Sequence, residues 1–124
     1  MNSYPHKPLA MLINELAKRT GLSVHTIRFY ERYGFVKGTR NQSSRNNYFH
    51  YDEEAVQRLE LVVDAKSVGF TLQEIAEIID AWYGNVYTKT QKLRILADKI
   101  VVLDTRIKEL RDMKRQIQQC MTEL

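Results

Sequence analysis

Seven cations, Lys18, Arg19, Arg28, Arg32, Lys37, Arg40 and Arg45, are gathered between Lys18 and Tyr51 against a single anion, Glu31. From Asp52 to the end there are 11 Lys and Arg against 13 Asp and Glu, so the net charge of +4 hides a strong asymmetry. Such clustering is the electrostatic footprint of a polyanionic partner. Charge alone leaves a solvated basic face on an ordinary domain equally open, and the motif that carries the charge has to decide. Other chemistry is poorly served. There are no paired carboxylates in a pocket-like context, no phosphate-cradling glycine loop, and no nucleophile with a base beside it, so no enzyme is expected. Soft metals need two or more thiolates, whereas Cys120 is the one cysteine and His6, His25 and His50 lack ligand-like spacing. Neither a metal nor a cofactor is expected.

The elements that must position these cations are short. Leu12, Ile13, Leu16 and Ala17 make a helical stripe over Met11 to Arg19. Gly21 suits the left-handed close of that helix, and Ser23 can cap the next. In the second helix Val24 and Ile27 should face the first, leaving His25, Thr26, Arg28, Phe29 and Arg32 on the outer surface. Gly34 ends it. Two short helices about a three-residue turn form a helix-turn-helix, whose second helix enters the major groove of DNA. Gly38, Asn41, Ser43, Ser44, Asn46 and Asn47 then form turns, while Tyr48, Phe49 and Tyr51 favour a return strand, which together predict a hairpin wing.

Asp52 should cap a third helix with Ala55, Val56, Leu59, Val62 and Val63 inward. Thr71-Leu72-Gln73-Glu74 is a capping box that opens a fourth, with Leu72, Ile75, Ile78 and Ile79 inward. Trp82 to Val86 reads as a linker broken at Gly84-Asn85. From about Thr90 to Leu124 no Pro or Gly occurs, and Leu93, Leu96, Ile100, Leu103, Ile107 and Leu110 step by three and four. That is a coiled-coil seam; after a local change of register Met113, Ile117, Cys120 and Leu124 resume it. A helix roughly 50 Å long at ~1.5 Å per residue cannot bury this seam in so small a chain, so a second copy is expected to cover it.

One hundred and twenty-four residues, 44% apolar and 27% charged, suit one folded domain with an extension. No apolar run approaches the ~20 residues of a membrane span, and Met1 to Pro8 lacks a secretory h-region. The lone cysteine fits a cytoplasmic setting. The expected organisation is a flexible tail over 1–10, a winged helix-turn-helix DNA-binding domain over 11–82, a linker over 83–89 and a dimerisation helix over 90–124. The expected fold is mostly α, with a small β-hairpin wing and a long C-terminal coiled-coil helix.

The run Ile13, Glu15-Leu16-Ala17-Lys18-Arg19-Thr20-Gly21-Leu22-Ser23, Thr26-Ile27-Arg28-Phe29-Tyr30-Glu31-Arg32 and Gly34 closely resembles the start of MerR-family transcriptional regulators. The likeness continues through Tyr48, Tyr51-Asp52-Glu53-Glu54, and Val68-Gly69-Phe70-Thr71-Leu72 with Glu74-Ile75, and ends in the long helix. The resemblance implies a homodimer, its long helices paired antiparallel, on pseudo-palindromic promoter DNA whose spacer it bends and untwists, acting on RNA polymerase only through the shared promoter. It implies DNA contacts from His25, Thr26, Arg28 and Arg32, with Ser23 opening their helix. Lys18 and Arg19 would add backbone contacts, as would Arg40 and Arg45 from the wing, with Tyr48 and Tyr51 fixing its return strand. Phe29 and Tyr30 match the family's aromatic pair, for which packing and phosphate-facing roles both stand open. Leu93, Leu96, Ile100, Leu103, Ile107, Leu110 and Ile117 would form the dimer seam.

Two departures matter. The family's wing commonly reads Gly-Tyr-Arg-x-Tyr, and here it is Asn47-Tyr48-Phe49-His50-Tyr51. Phe49 thus removes a cation that usually grips phosphate, for which Arg45 or His50 would have to substitute. Metal-responsive members place a thiolate near the start of the long helix, where this chain has Lys89. Trp82, Tyr83 and Tyr87 could line a small-molecule effector pocket or form a packed hinge; the effector itself is not legible. The alternative readings are a DNA-bending accessory protein of the recombination-directionality type and a coiled-coil protein adaptor.

Overall fold

A computed structural model describes residues 10–40 and 49–124 of the chain. They fall into two compact units, one ending at Asn85 and the other spanning Val86–Leu124. The first unit holds α1 (Ile13–Thr20), α2 (Val24–Arg32), β1 (Thr39–Arg40), β2 (Phe49–His50), α3 (Glu53–Ser67) and α4 (Leu72–Tyr83); the second is α5 (Lys89–Thr122). This is the mostly helical, winged helix-turn-helix plan with a long C-terminal helix.

Helix α1 starts two residues later than its apolar pattern predicts, because Met11 is extended and engaged elsewhere. Its N–H and C=O exchange two 2.8 Å hydrogen bonds with Tyr51, an antiparallel bridge to the end of the wing. Leu12 is consequently exposed and only Leu16 of the expected stripe is fully buried. Gly21, at φ 73, closes α1 by donating to the Ala17 carbonyl. Ser23 Oγ then accepts the Thr26 N–H at 3.0 Å and opens α2.

A Schellman close ends α2: Gly34, at φ 86, donates to Glu31 and Phe35 donates to Tyr30, both at 3.0 Å. The Tyr30 and Phe35 rings, 5.7 Å apart, supply the apolar contact that usually accompanies this motif. The same device closes α3, where Gly69 (φ 93) donates to Lys66 and Phe70 to Ala65. Asp52 caps α3 through the Ala55 N–H, and Thr71 with Glu74 forms the expected capping box of α4.

Leu16, Ile27, Phe35, Leu59, Val62 and Ile75 are the fully buried heart of this unit. Each such side chain contributes ~1.5–3 kcal/mol through lost apolar exposure. Val63, expected inward, is 37% exposed, and Ala65 takes the inner position instead, since α3's buried face rotates slightly along its length. Val24 and Leu72, also expected inward, are half-buried. Trp82 and Tyr83 belong to the last turn of α4 rather than to a linker.

The wing pairs Thr39 with His50 and Arg40 with Phe49 in antiparallel register. Gly38 permits the close approach beneath it. A Cβ there would lie 2.9 Å from Phe49 Cβ and 3.1 Å from the Tyr51 ring.

The second unit opens with a capping box, Thr88 with Gln91: each side chain accepts the other's N–H, at 3.2 and 2.8 Å. The 34 residues of α5 extend about 51 Å. Along it Leu93, Leu96, Ile100, Leu103, Ile107, Leu110 and Ile117 are 36–64% exposed in the single chain.

Candidate nucleic-acid interface

Helix α2 is amphipathic in the way its sequence predicts. Ile27 and Tyr30 are buried while His25, Arg28 and Arg32 are exposed and Thr26 and Phe29 half-buried. Tyr30, for which packing and phosphate-facing roles both stood open, is only 4% exposed, its ring against Phe29 and Phe35. Its role is packing. Phe29 lies between, with its ring 5.7 Å from both Tyr30 and Tyr33. Ser23 acts through the backbone, as the cap that aims the first turn of α2.

Tyr51 is likewise buried, at 3% exposure, so it is no surface contact. Its hydroxyl donates to Glu31 Oε1 on α2, while its backbone is bridged to Met11. One residue therefore ties the wing to the recognition helix and to the segment before α1. Burial first, and then the Glu31 carboxylate, hold its phenol protonated well above the usual tyrosine range.

Lys18 and Arg19 are both exposed at the C-terminal end of α1, where their charges complement the helix dipole. Arg19 forks onto Glu53 at the start of α3, with Nη2 donating to Oε2 at 2.9 Å and Nη1 to Oε1. That pair raises the Arg19 pKa and lowers the Glu53 carboxyl below its usual range. On the wing, Arg40 is exposed with its guanidinium 4.9 Å from the centre of the Phe49 ring. Arg45 and Tyr48, the other two expected wing residues, lie outside the described residues, as does the tail over 1–9.

Lys66 escaped the reading of the sequence. It lines one shallow groove with Leu22, Thr26 and Tyr30, and an adjoining one with His25, Phe29 and Leu72. Its charge thus belongs to the α2 surface, although it stands in the net-acidic part of the chain. Nothing in the local pattern signals this, because only the packing of α3 in the folded unit brings it there.

Behind the interface Arg58 braces the turn after α2. It donates to the Phe35 carbonyl at 3.3 Å and stacks 5.1 Å from the Tyr83 ring. Its Nε is also 3.4 Å from Glu54, an ion pair without hydrogen-bond geometry. Of the aromatic trio considered for an effector pocket, Tyr83 is thus engaged with Arg58, and Tyr87 belongs to the second unit. Among the described residues no three His, Cys, Asp or Glu side chains converge as metal ligands, and no helix is long and apolar enough to cross a membrane.

The family model described as MerR HTH family regulatory protein matches residues 11–82, and a second, MerR DNA binding, matches 56–120. The chain is 33% identical over 107 residues to the HTH-type transcriptional regulator CueR of Escherichia coli O157:H7, covering 86% of this chain and 78% of that protein. It is 31% identical over 114 residues to the uncharacterized HTH-type transcriptional regulator slr0701 of Synechocystis, with 92% and 82% covered. Among solved structures it is similar to the transcription regulator PbrR691 of Ralstonia metallidurans CH34 in complex with lead(II). There the TM-score is 0.73 at 28% identity, over 88% of this chain and 83% of that one. It also shares the fold of HiNmlR, a MerR family regulator lacking the sensor domain and bound to promoter DNA. That likeness has a TM-score of 0.62 at 20% identity, over 84% and 77% of the two chains.

Proposed function

The chain belongs to the MerR family of helix-turn-helix regulators and is a DNA-binding transcriptional regulator; we propose that it binds pseudo-palindromic promoter DNA as a homodimer and controls transcription by bending and untwisting the spacer. The observation that carries this reading is the outer face of α2, where His25, Arg28 and Arg32 stand exposed together. Arginine's planar fork suits both phosphate and the guanine edge, so this face can position and specify at once. Thr26 and Phe29 lie on the same helix and Lys66 borders it, while Lys18 from α1 and Arg40 from the wing would add further phosphate contacts. Tyr30, Tyr51 and the Arg19–Glu53 pair hold it in shape.

The open apolar stripe of α5 supports the dimer. Seven large side chains at heptad spacing would be costly to leave in water, and two copies of a helix this long can cover each other's seam. A two-fold dimer places two recognition helices on successive turns of one face of the duplex, which is why the site should be a pseudo-palindrome. Deforming the spacer would then draw on the binding energy of both halves. RNA polymerase would meet the protein only through the promoter they share.

Selection of bound genomic fragments, followed by sequencing and a circular-permutation bend assay, tests the proposal. The expected product is a palindromic site between promoter elements that bends when bound. Affinity should fall ~10³-fold or more between about 50 and 200 mM salt if several phosphates are contacted per subunit. Bound sites that lie away from promoters would favour an architectural role, and salt-insensitive or absent binding would refute the DNA reading altogether.

A further inference from the structure

The wing lacks an arginine where Phe49 stands, but the ring is not idle. Arg40 and Phe49 are directly opposite each other across the β1–β2 pair, and the guanidinium carbon lies 4.9 Å from the ring centre. Cross-strand partners of this kind are the closest side-chain neighbours a sheet offers. Beneath them Gly38 lets Phe49 Cβ approach so closely that a methyl group would meet it at 2.9 Å, which pins the ring's root to the wing backbone. Among the described residues Arg40 pairs with no carboxylate, so its charge is not neutralised.

We propose that Arg40, stacked on Phe49, is a phosphate contact of the wing and that Phe49 is the positioning residue that makes it one. The inference rests on the DNA-binding reading above. An exposed arginine loses rotamer freedom when it grips a phosphate, and a stack that already confines the guanidinium removes part of that loss. Stacking uses the π-face and leaves the in-plane N–H groups free, the edge that engages phosphate bidentately. The cation missing from position 49 is thereby supplied from the facing strand, with the ring as its platform. A lysine at position 40 could not do the same, because a point charge on a flexible stem has no planar face to lay on the ring.

The test uses the 124-residue chain and a mixed-sequence duplex of about 30 base pairs, long enough for half-sites a helical turn or two apart. Phe49→Leu keeps apolar bulk and removes the ring. It should weaken binding roughly five-fold per subunit near 0.15 M salt and lower the slope of log K against log salt by about 0.9 per subunit, the signature of one lost phosphate. Arg40→Ala should do the same, the double variant should be no worse than Arg40→Ala alone, and Phe49→Trp should restore binding. Without DNA, the ring-current shift of the Arg40 side-chain protons should be present in the wild type and in Phe49→Trp and lost in Phe49→Leu. An unchanged salt slope in Phe49→Leu, additive losses in the double variant, or failure of Phe49→Trp to rescue would each overturn the proposal. A wild-type chain that ignores the duplex at low salt would instead refute the DNA reading, and this one with it.

Discussion

Tyr51→Phe removes one hydroxyl and leaves the ring in place, so it creates no cavity. The lost interaction is the hydrogen bond to Glu31, made by a side chain only 3% exposed. Bonds to charged groups contribute ~1.5–3 kcal/mol, and because Glu31 is half-buried and water can partly replace the donor, the lower end applies, about 1.5 kcal/mol. For a unit of this size that lowers the melting midpoint by roughly 6–12 °C.

The pH dependence gives a sharper signature. The folded state keeps Tyr51 protonated above the usual range, through burial and then through Glu31. An unfolded chain releases that proton near pH 10, so from there upward the unfolded state binds fewer protons and stability falls by about 1.4 kcal/mol per pH unit. The contribution is complete below about pH 10 and lost on the alkaline side. Phenylalanine has no such loss. Denaturant titrations of wild type and variant should therefore differ by about 1.5 kcal/mol at pH 8 and converge near pH 11. The remaining six tyrosines are common to both chains and cancel in the difference. A gap that stays constant from pH 8 to 11 would show that Tyr51 does not depend on its proton, and the reasoning would be wrong.

Other substitutions probe other parts. Ile27→Ala empties a fully buried position on the inner face of α2 and should cost ~2–5 kcal/mol in chemical denaturation, whereas a loss under about 1 kcal/mol would mean the helix pair is loosely packed. Gly38→Ala drives a methyl into Phe49 and Tyr51, and is expected to lose about 1–3 kcal/mol of stability together with duplex affinity; wild-type binding by electrophoretic shift would count against the close approach. Glu53→Gln should lower the melting midpoint at pH 7, and the difference should shrink and close as pH falls through the depressed Glu53 carboxyl. The Glu53 carboxyl is depressed by Arg19, so its contribution is present above the ordinary carboxylate range and vanishes as pH falls. Ile107→Asp puts a charge on the α5 seam and should give monomers by sedimentation equilibrium; an intact dimer would place the contact on another face.

Much of the frame was readable from residue types and order. Gly21 and Ser23 between two apolar stripes announced the helix-turn-helix, and Asp52 and Thr71 announced the starts of α3 and α4. Each depends on a hydrogen bond spanning three or four residues, so the chain segment itself contains both partners. Thr88 and Gln91 are the same local device at the start of α5, one residue before the run free of Pro and Gly that marks the helix in the sequence. The run of Leu and Ile through α5 also spoke for itself, because its spacing needs no neighbour to be recognised.

Tertiary structure alone decided which of the expected contacts face outward and which are spent inside. Tyr51 reaches back 20 residues to Glu31, Arg19 forward 34 to Glu53, and Met11 pairs with Tyr51 instead of joining α1. Lys66 arrives beside His25 and Thr26 from a segment whose charge balance is acidic. Tyr30, for which resemblance left packing and phosphate-facing roles both open, is buried, and so is Tyr51 at the end of the return strand. Local pattern determines where helices start and stop, since backbone donors and acceptors a few residues apart must satisfy one another. Which side chain meets which across the core depends on how those helices pack, and no spacing along the chain encodes that.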